Sequence, residues 1–287
     1  MSTIASPEED LRTPVVARPR PAVRVPSDAL ARAARRTGLT LGSLVVLVAA
    51  WEWGSRAYDV PFLFPGPLAV AESLADNLAD GTLAASTGAS LWRIVAGFVL
   101  GSVAGVVVGL VLGASRVASG MAAPFVTFFR FVPPLAWFGP VLVWFGAGET
   151  SKVLLIVYTS LFVVALNTIE GSTKLPQDLS RMAGVAGASW WQRMFWVTLP
   201  ASVPYIVAGA RVALGNAFMT VVSAEMLGAS AGLGVMVNNG MTSTNVPDVF
   251  TAILVLGVAG LVCDRLFVLA VNTFGRRFRG QQTVDVA

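Results

Sequence analysis

The sequence predicts an all-α, polytopic membrane protein with about six transmembrane helices. Three observations carry this. First, 55% of the residues are apolar and only 13% are charged, with a mean hydropathy of +0.72; a soluble domain carries roughly 25% charged residues. Second, apolar runs of about 20 residues, long enough to cross a bilayer, recur along most of the chain. Third, arginines gather at alternate ends of these runs, at Arg35, Arg36, Arg116, Arg276, Arg277 and Arg279, as expected of the cytoplasmic side.

Residues 1–36 hold five prolines and seven arginines with few large apolar side chains. They read as a disordered cytoplasmic tail rather than a cleaved signal. The membrane-embedded region runs over 37–279, and 280–287 form a C-terminal tail. The first span is Gly38 to about Tyr58. Residues 59–88 follow with Asp59, Glu72, Asp76 and Asp80 and no lysine or arginine, which places them outside and the N-terminus inside. Within them, Leu63-Phe-Pro-Gly-Pro-Leu68 is a turn and Ala69 to Leu78 a short amphipathic helix.

The second span, about 89–114, carries Gly97, Gly101, Gly105, Gly109 and Gly113, each four residues from the last. On a helix they form one smooth ridge that admits another backbone. The third span, about 120–146, contains Pro133, Pro134 and Pro140. Proline removes a helical hydrogen bond, and such breaks survive in a membrane where protein or a watery cavity satisfies the freed carbonyls. This span is the candidate gate. An outer turn, Gly146 to Lys152, leads to a fourth span at about 153–169. A polar segment at about 170–200 precedes the fifth span, about 201–222. Residues 223–248 form an outer loop with a short re-entrant helix, and the sixth span is about 249–272. An even count of spans puts both termini in the cytoplasm.

The 170–200 segment is the most informative. Pro176 suits a first helical position, Gly187 suits the residue just past a helix end, and Ser189 with Gln192 fits a capping box. The expected structure is helix, sharp turn at Gly187, second helix, then Pro200 opening the fifth span. Ala183 and Ala188 keep the turn slim. Trp190, Trp191, Phe195 and Trp196 would sit at the lipid interface. Three residues separate Ala183 from Gly187, nine separate Gly187 from Val197, and one separates Val197 from Leu199-Pro200. This spacing resembles the cytoplasmic coupling motif of the membrane subunits of ATP-binding-cassette (ABC) importers, which opens with Glu-Ala-Ala and has isoleucine where Val197 stands. Here Arg181 and Met182 occupy the first two positions, so the acidic residue is replaced by a base.

The resemblance extends from Leu63 to about Arg276, where the order of features looks like the nitrate, sulfonate, taurine and bicarbonate group of importer permeases. It is carried by Phe64-Pro-Gly-Pro67, Arg130-Phe-Val-Pro-Pro-Leu-Ala136, Gly209-Ala-Arg-Val-Ala-Leu-Gly215, Ala224-Glu-Met-Leu-Gly-Ala229 and Gly232-Leu-Gly234. It implies the type I importer permease fold, a multi-pass location in the bacterial plasma (inner) membrane, and a homodimer with a second copy of the chain. It also implies two cytoplasmic ATPase subunits, which hold the ATP and magnesium, and an extracytoplasmic substrate-binding protein. The chain itself would bind no cofactor. On this reading Arg181, Ala183, Gly187, Ala188, Ser189, Leu199 and Pro200 couple to the ATPase, with Arg181 a weaker member because its charge is reversed.

Charged groups inside a membrane usually face the bundle interior or water. Arg130, Arg211, Glu225, Asp264 and Arg265 lie in or near the spans. One reading makes Arg130 and Arg211, with Pro133, Pro134 and Glu225, part of an electropositive pathway for a small anion such as a sulfonate, nitrate or taurine. The other is mutual pairing, of Arg211 with Glu225 or of Asp264 with a basic neighbour. Other classes fit less well. An ion-driven secondary transporter would need a titrating group, for which Glu225 and Asp264 are the candidates, and would leave the coupling segment unexplained. A membrane enzyme lacks histidine, paired inward carboxylates and a metal-ligand cluster. There is no nucleotide-binding phosphate loop, so ATP hydrolysis falls to another chain. Cys263 reads as a packing residue, and the net charge of +4 reflects membrane topology and lipid contact rather than nucleic acid.

Overall fold

The computed structural model describes residues 27–58, 60, 63–175 and 182–274. All regular structure among them is helical. Contacts separate two units, Met1–Ala50 and Trp51–Ala287. Helix α1 (Ser27–Tyr58) contains the candidate span Gly38–Ala57. It starts at Ser27, inside the stretch expected to be a tail, because Ala-Leu-Ala-Arg-Ala-Ala-Arg-Arg favours helix strongly at nearly every position. The earlier tail residues and 280–287 lie outside the described residues, as do Arg276, Arg277 and Arg279.

The second unit is a bundle built on α3 (Thr82–Gly113), α6 (Glu149–Thr173) and α9 (Leu199–Met226). Asp80 opens α3 by accepting a hydrogen bond from the Thr82 amide at 2.8 Å. The glycine ridge of α3 then lies along α6. A Cβ at Gly101 would stand 2.5 Å from the Val157 carbonyl oxygen, and one at Gly97 would stand 2.5 Å from Ile156 Cβ. Gly105, Gly109 and Gly113 meet Val164, Thr168 and Ser172 in turn, so α3 and α6 run parallel along the whole ridge. The ridge serves packing within one chain. Helix α9 returns antiparallel to α6, with Gly209 against Asn167 and Gly171 against Tyr205.

Among the described residues, five helices are long and apolar enough to cross a membrane, and a bent pair makes a sixth when its two arms count as one span. That pair is α4 (Arg116–Phe131) followed by a 3₁₀ turn at Pro134–Trp137 and α5 (Phe138–Phe145). The two arms meet at 88°. Six spans agree with the count read from the sequence. The outer turn is shorter than Gly146 to Lys152, because α6 already begins at Glu149. Lys152 is buried, 4% exposed; its ammonium donates to Glu149 and to the carbonyls of Ala147 and Gly148, and these acceptors let a charge sit inside.

The remaining helices are α2 (Pro67–Ala79), α10 (Leu233–Thr242) and α11 (Val246–Phe274). Leu233 and Met236 of α10 pack on Leu83 and Ala252. The hydroxyl of Ser73 in α2 donates to Asp248 at 2.7 Å and bonds Thr251 at 2.9 Å, and Asn77 donates to Asp248 at 2.9 Å. These bonds fix α2 to the start of α11.

Candidate functional site

Between α6 and α9 the chain makes a helix-turn-helix at one end of the bundle. Helix α7 covers 182–185, and α8 (Trp190–Arg193) passes through a π turn (Met194–Thr198) into α9. The Ala188 amide donates to the Ala183 carbonyl and the Gly187 amide to Gly184, both at 3.0 Å. This is the Schellman closure of a helix end. It demands a left-handed residue, and Gly187 has φ +73°, which a residue with a Cβ adopts poorly. Ser189 then caps α8, accepting from the Gln192 amide at 3.3 Å while the Gln192 side chain accepts from the Ser189 amide at 2.7 Å. The expected turn and capping box are both present.

The π turn has a local cause. Pro200 has no amide proton, so it cannot donate to Trp196 as an α-helix would require. The ladder widens just before it, and the Leu199 amide bonds back to Met194. Trp190 to Met226 thus forms one continuous helical element of 37 residues. Its start presents Trp191, Phe195 and Trp196, all exposed, with the Trp191 and Phe195 rings stacked at 6.1 Å. Met194 alone turns inward, 5% exposed. Val185, at the tip of α7, is 92% exposed. Space is open around Gly184 and Gly187. Of the candidate coupling residues, Ala183, Gly187, Ala188, Ser189, Leu199 and Pro200 fall in this element. Arg181 lies outside the described residues, as does Pro176. Beside the root, Lys174 donates to Glu170 at 2.6 Å, and this carboxylate raises the ammonium pKa.

A second feature lies halfway along the bundle. A groove of about 550 Å³ runs between the end of α4, the proline break, α6 and α9. Its polar lining consists of Arg130, Tyr158, Thr159, Asn167, Asn216 and Thr220, with no carboxylate among the lining residues. Arg130 lies over the Phe131 ring at 5.0 Å. Of the candidate pathway residues, Arg130 and Pro134 line this groove, and Pro133 sits at the bend.

Arg211 and Glu225 are engaged elsewhere, and not with each other. Arg211 makes a two-pronged pair with Asp264 of α11, at 2.7 and 2.8 Å, so Asp264 finds a basic neighbour as one sequence reading expected. Glu225 is 1% exposed and takes no part in the groove. One of its oxygens accepts from Arg93 at 2.7 Å, the other from the Gly234 amide at 2.9 Å, and Ser90 donates to both at 2.9 Å. Ser90 in turn accepts from the Leu233 amide at 2.8 Å. Glu225 and Ser90 therefore cap the start of α10. A Cβ on Gly232 would collide with the Glu225 carboxylate, and one on Gly234 would lie 2.8 Å from Glu225 Cβ. The Ala-Glu-Met-Leu-Gly-Ala and Gly-Leu-Gly stretches thus form a single structural site.

Sequence reading missed Arg93. It lies beneath both acids, 3% exposed, donating to Glu149 at 2.5 and 2.8 Å and to the Ala231 carbonyl at 2.6 Å. Its position inside the second span was the available signal.

Residues 83–280 match the family described as "Binding-protein-dependent transport system inner membrane component". A probable ABC transporter permease protein of Brucella melitensis is 35% identical over 233 residues, covering 81% of this chain and 95% of that protein. The taurine transport system permease protein of Escherichia coli is 35% identical over 150 residues, 52% of this chain and 54% of that protein. The nitrate import permease protein of Synechocystis is 32% identical over 142 residues, 50% and 52% of the two chains. A chain of the MetNI methionine ABC transporter in an inward-facing conformation shares the fold, with a TM-score of 0.57 at 21% identity over 67% of this chain and 94% of that one.

Proposed function

Since the chain belongs to the family of binding-protein-dependent transport inner-membrane components, and so is an ABC importer permease, we propose that it passes a small anionic solute through the membrane by coupling to a separate cytoplasmic ATPase. The observation that carries the coupling is the 182–200 element. A Schellman turn and a capping box make the turn at Gly187 rigid without any support from the rest of the bundle, and a single helix connects it to α9, which walls the groove. Displacement of the turn is therefore displacement of the groove wall. Ala183, Gly187, Ala188, Ser189, Leu199 and Pro200 are the coupling residues, and Arg181 meets whatever the ATPase places opposite it. On this reading ATP and magnesium stay on the ATPase, a second copy of the chain completes the pathway, and a binding protein delivers the solute from outside.

The anionic character rests on the groove. It offers one guanidinium, amides and hydroxyls and no carboxylate, a lining that attracts an anion. Relatives carry names for taurine and nitrate import, in line with such a solute. Arg130 is the residue placed to meet it, with Pro133 and Pro134 shaping the gate.

Co-purification from the native membrane tests the coupling, with Gly187→Asp beside the wild type. Because the space around Gly187 is open in the isolated chain, an aspartate fits there sterically, and its αL strain is of order 1 kcal/mol. An ATPase recovered with the wild type and lost with the folded variant is the expected result. Equal recovery with both would remove the Gly187 turn from the docking site.

A further inference from the structure

The bend between α4 and α5 is held from outside by one hydroxyl. In a continuous helix the Phe129 carbonyl would accept from the amide four residues on, but that residue is Pro133, which has none. Two donors replace it. The Val132 amide closes a tighter turn at 3.2 Å, and the hydroxyl of Tyr158 donates to the same Phe129 oxygen at 2.5 Å. The Val132 carbonyl lies 3.5 Å from that hydroxyl, at the limit of a hydrogen bond. Tyr158 comes from α6, close to where Gly97 and Gly101 bring the backbones of α3 and α6 together. The donor is thus mounted on a helix held in close backbone contact with α3.

Aromatic rings surround the same point. Phe129 stacks on Phe162 at 5.4 Å, Phe162 meets Tyr158 edge-on at 4.9 Å, and Trp137, just past the break, lies 5.8 Å from Tyr158 and 6.4 Å from Phe129. Such pairs accept both offset-stacked and edge-on arrangements over centroid separations of roughly 4.5–7 Å, whereas the hydroxyl bond has one direction. Tyr158 also lines the groove beside Arg130 and Pro134.

Resting on the reading of the proline break as the gate, we propose that Tyr158 is its pivot: a positioning residue whose hydroxyl holds the Phe129 carbonyl while the 3₁₀ turn and α5 swing about it. The four rings allow rotation, and the hydroxyl bond sets the resting angle and hence the width of the groove. Replacing Tyr158 with phenylalanine keeps the ring and deletes the donor. The Phe129 carbonyl then keeps only the bond from the Val132 amide, and the resting angle is no longer favoured over others. Loss of one such bond shifts the equilibrium by up to about tenfold.

The test uses the full chain with its co-purified ATPase, in a Cys263→Ser background, carrying Leu135→Cys at the 3₁₀ turn. A membrane-impermeant sulfonated maleimide reads exposure of that thiol. The labelling rate of the resting complex is expected to differ between Tyr158→Phe and Tyr158 by up to about tenfold, at unchanged ATPase recovery. With Tyr158 present, the labelling rate should also differ between the resting complex and one trapped with ATP and vanadate. A purely structural role would lower the yield of complex without changing the labelling rate of what is recovered, and that result overturns the pivot. So does a labelling rate that is the same in resting and trapped complexes, which is measured without the Phe variant and does not depend on its folding. Failure of the wild type to bring down any ATPase is a separate outcome: it overturns the importer reading and the pivot with it.

Discussion

Arg93 illustrates what a single buried charge demands. Its side chain is 4% exposed, yet it bonds two carboxylates and a carbonyl. Glu225, at 0% side-chain exposure, would be intolerable in an apolar interior without that guanidinium and the Ser90 and Gly234 donors. Removing one partner of such a set leaves an uncompensated buried charge. Arg93→Met is expected to destabilise the protein by about 3–5 kcal/mol, read as a lower midpoint in thermal unfolding of the detergent-purified chain. Converting the buried acid as well, in Arg93→Met/Glu225→Gln, should recover much of the loss, because the amide needs no counter-charge and Glu149 keeps Lys152 as its partner. A midpoint for Arg93→Met within the error of wild type would show that water reaches the cluster. Residue chemistry also explains what could and could not be read from the sequence here. Ser189 and Gln192 were legible because a capping box is closed within four residues. The Arg93–Glu225 pair spans 132 residues, and a sequence with several possible partners gives no sign of which acid a base will meet. Arg211 and Glu225 turn out to share α9, where fourteen residues hold them about 21 Å apart along the axis, and Arg211 meets Asp264 across to α11 instead.

At the scale of elements, the glycine ridge was legible because a four-residue spacing forces one helical face, although its partner was not. The structure gives that partner as α6, whose own sequence holds no matching glycine stripe; its backbone simply comes close where α3 has no side chains. Replacing Gly101 with alanine sets a methyl 2.5 Å from the Val157 oxygen and 2.7 Å from Ser160 Cβ. Backbone cannot retreat as a flexible side chain can, so the helices must part. The expected cost is roughly 1–3 kcal/mol, typical of overpacking. Gly139, which has open space around it, serves as the control: alanine there should leave the unfolding midpoint nearly unchanged. Equal midpoints for the two variants would mean that the ridge does not set the α3–α6 distance. The break in the third span was legible from its prolines, because their missing amides are a covalent fact. Its 88° angle was not, since the angle depends on a hydroxyl and two rings, those of Tyr158 and Phe162, from elsewhere in the chain.

Across the whole molecule, two arginines that look alike in sequence occupy different roles, and that difference is testable. Arg211 is matched to Asp264 by two hydrogen bonds, so Arg211→Gln leaves a carboxylate in the middle of a span without its hydrogen-bonded cation. An unpaired charge at a helix centre costs about 2.5–3.5 kcal/mol, and the loss should appear in the amount of folded protein recovered from the membrane. Arg211→Gln/Asp264→Asn removes both charges and should restore recovery. Arg130 faces the groove with no carboxylate among the lining residues, so Arg130→Gln strands no partner. Recovery should match wild type, while uptake of an anion panel including taurine and nitrate falls by tenfold or more, the scale of one charge-assisted bond lost to the solute. If Arg130→Gln lowers recovery as Arg211→Gln does, Arg130 is a structural residue, and the groove loses the one charge that makes it a pathway for anions.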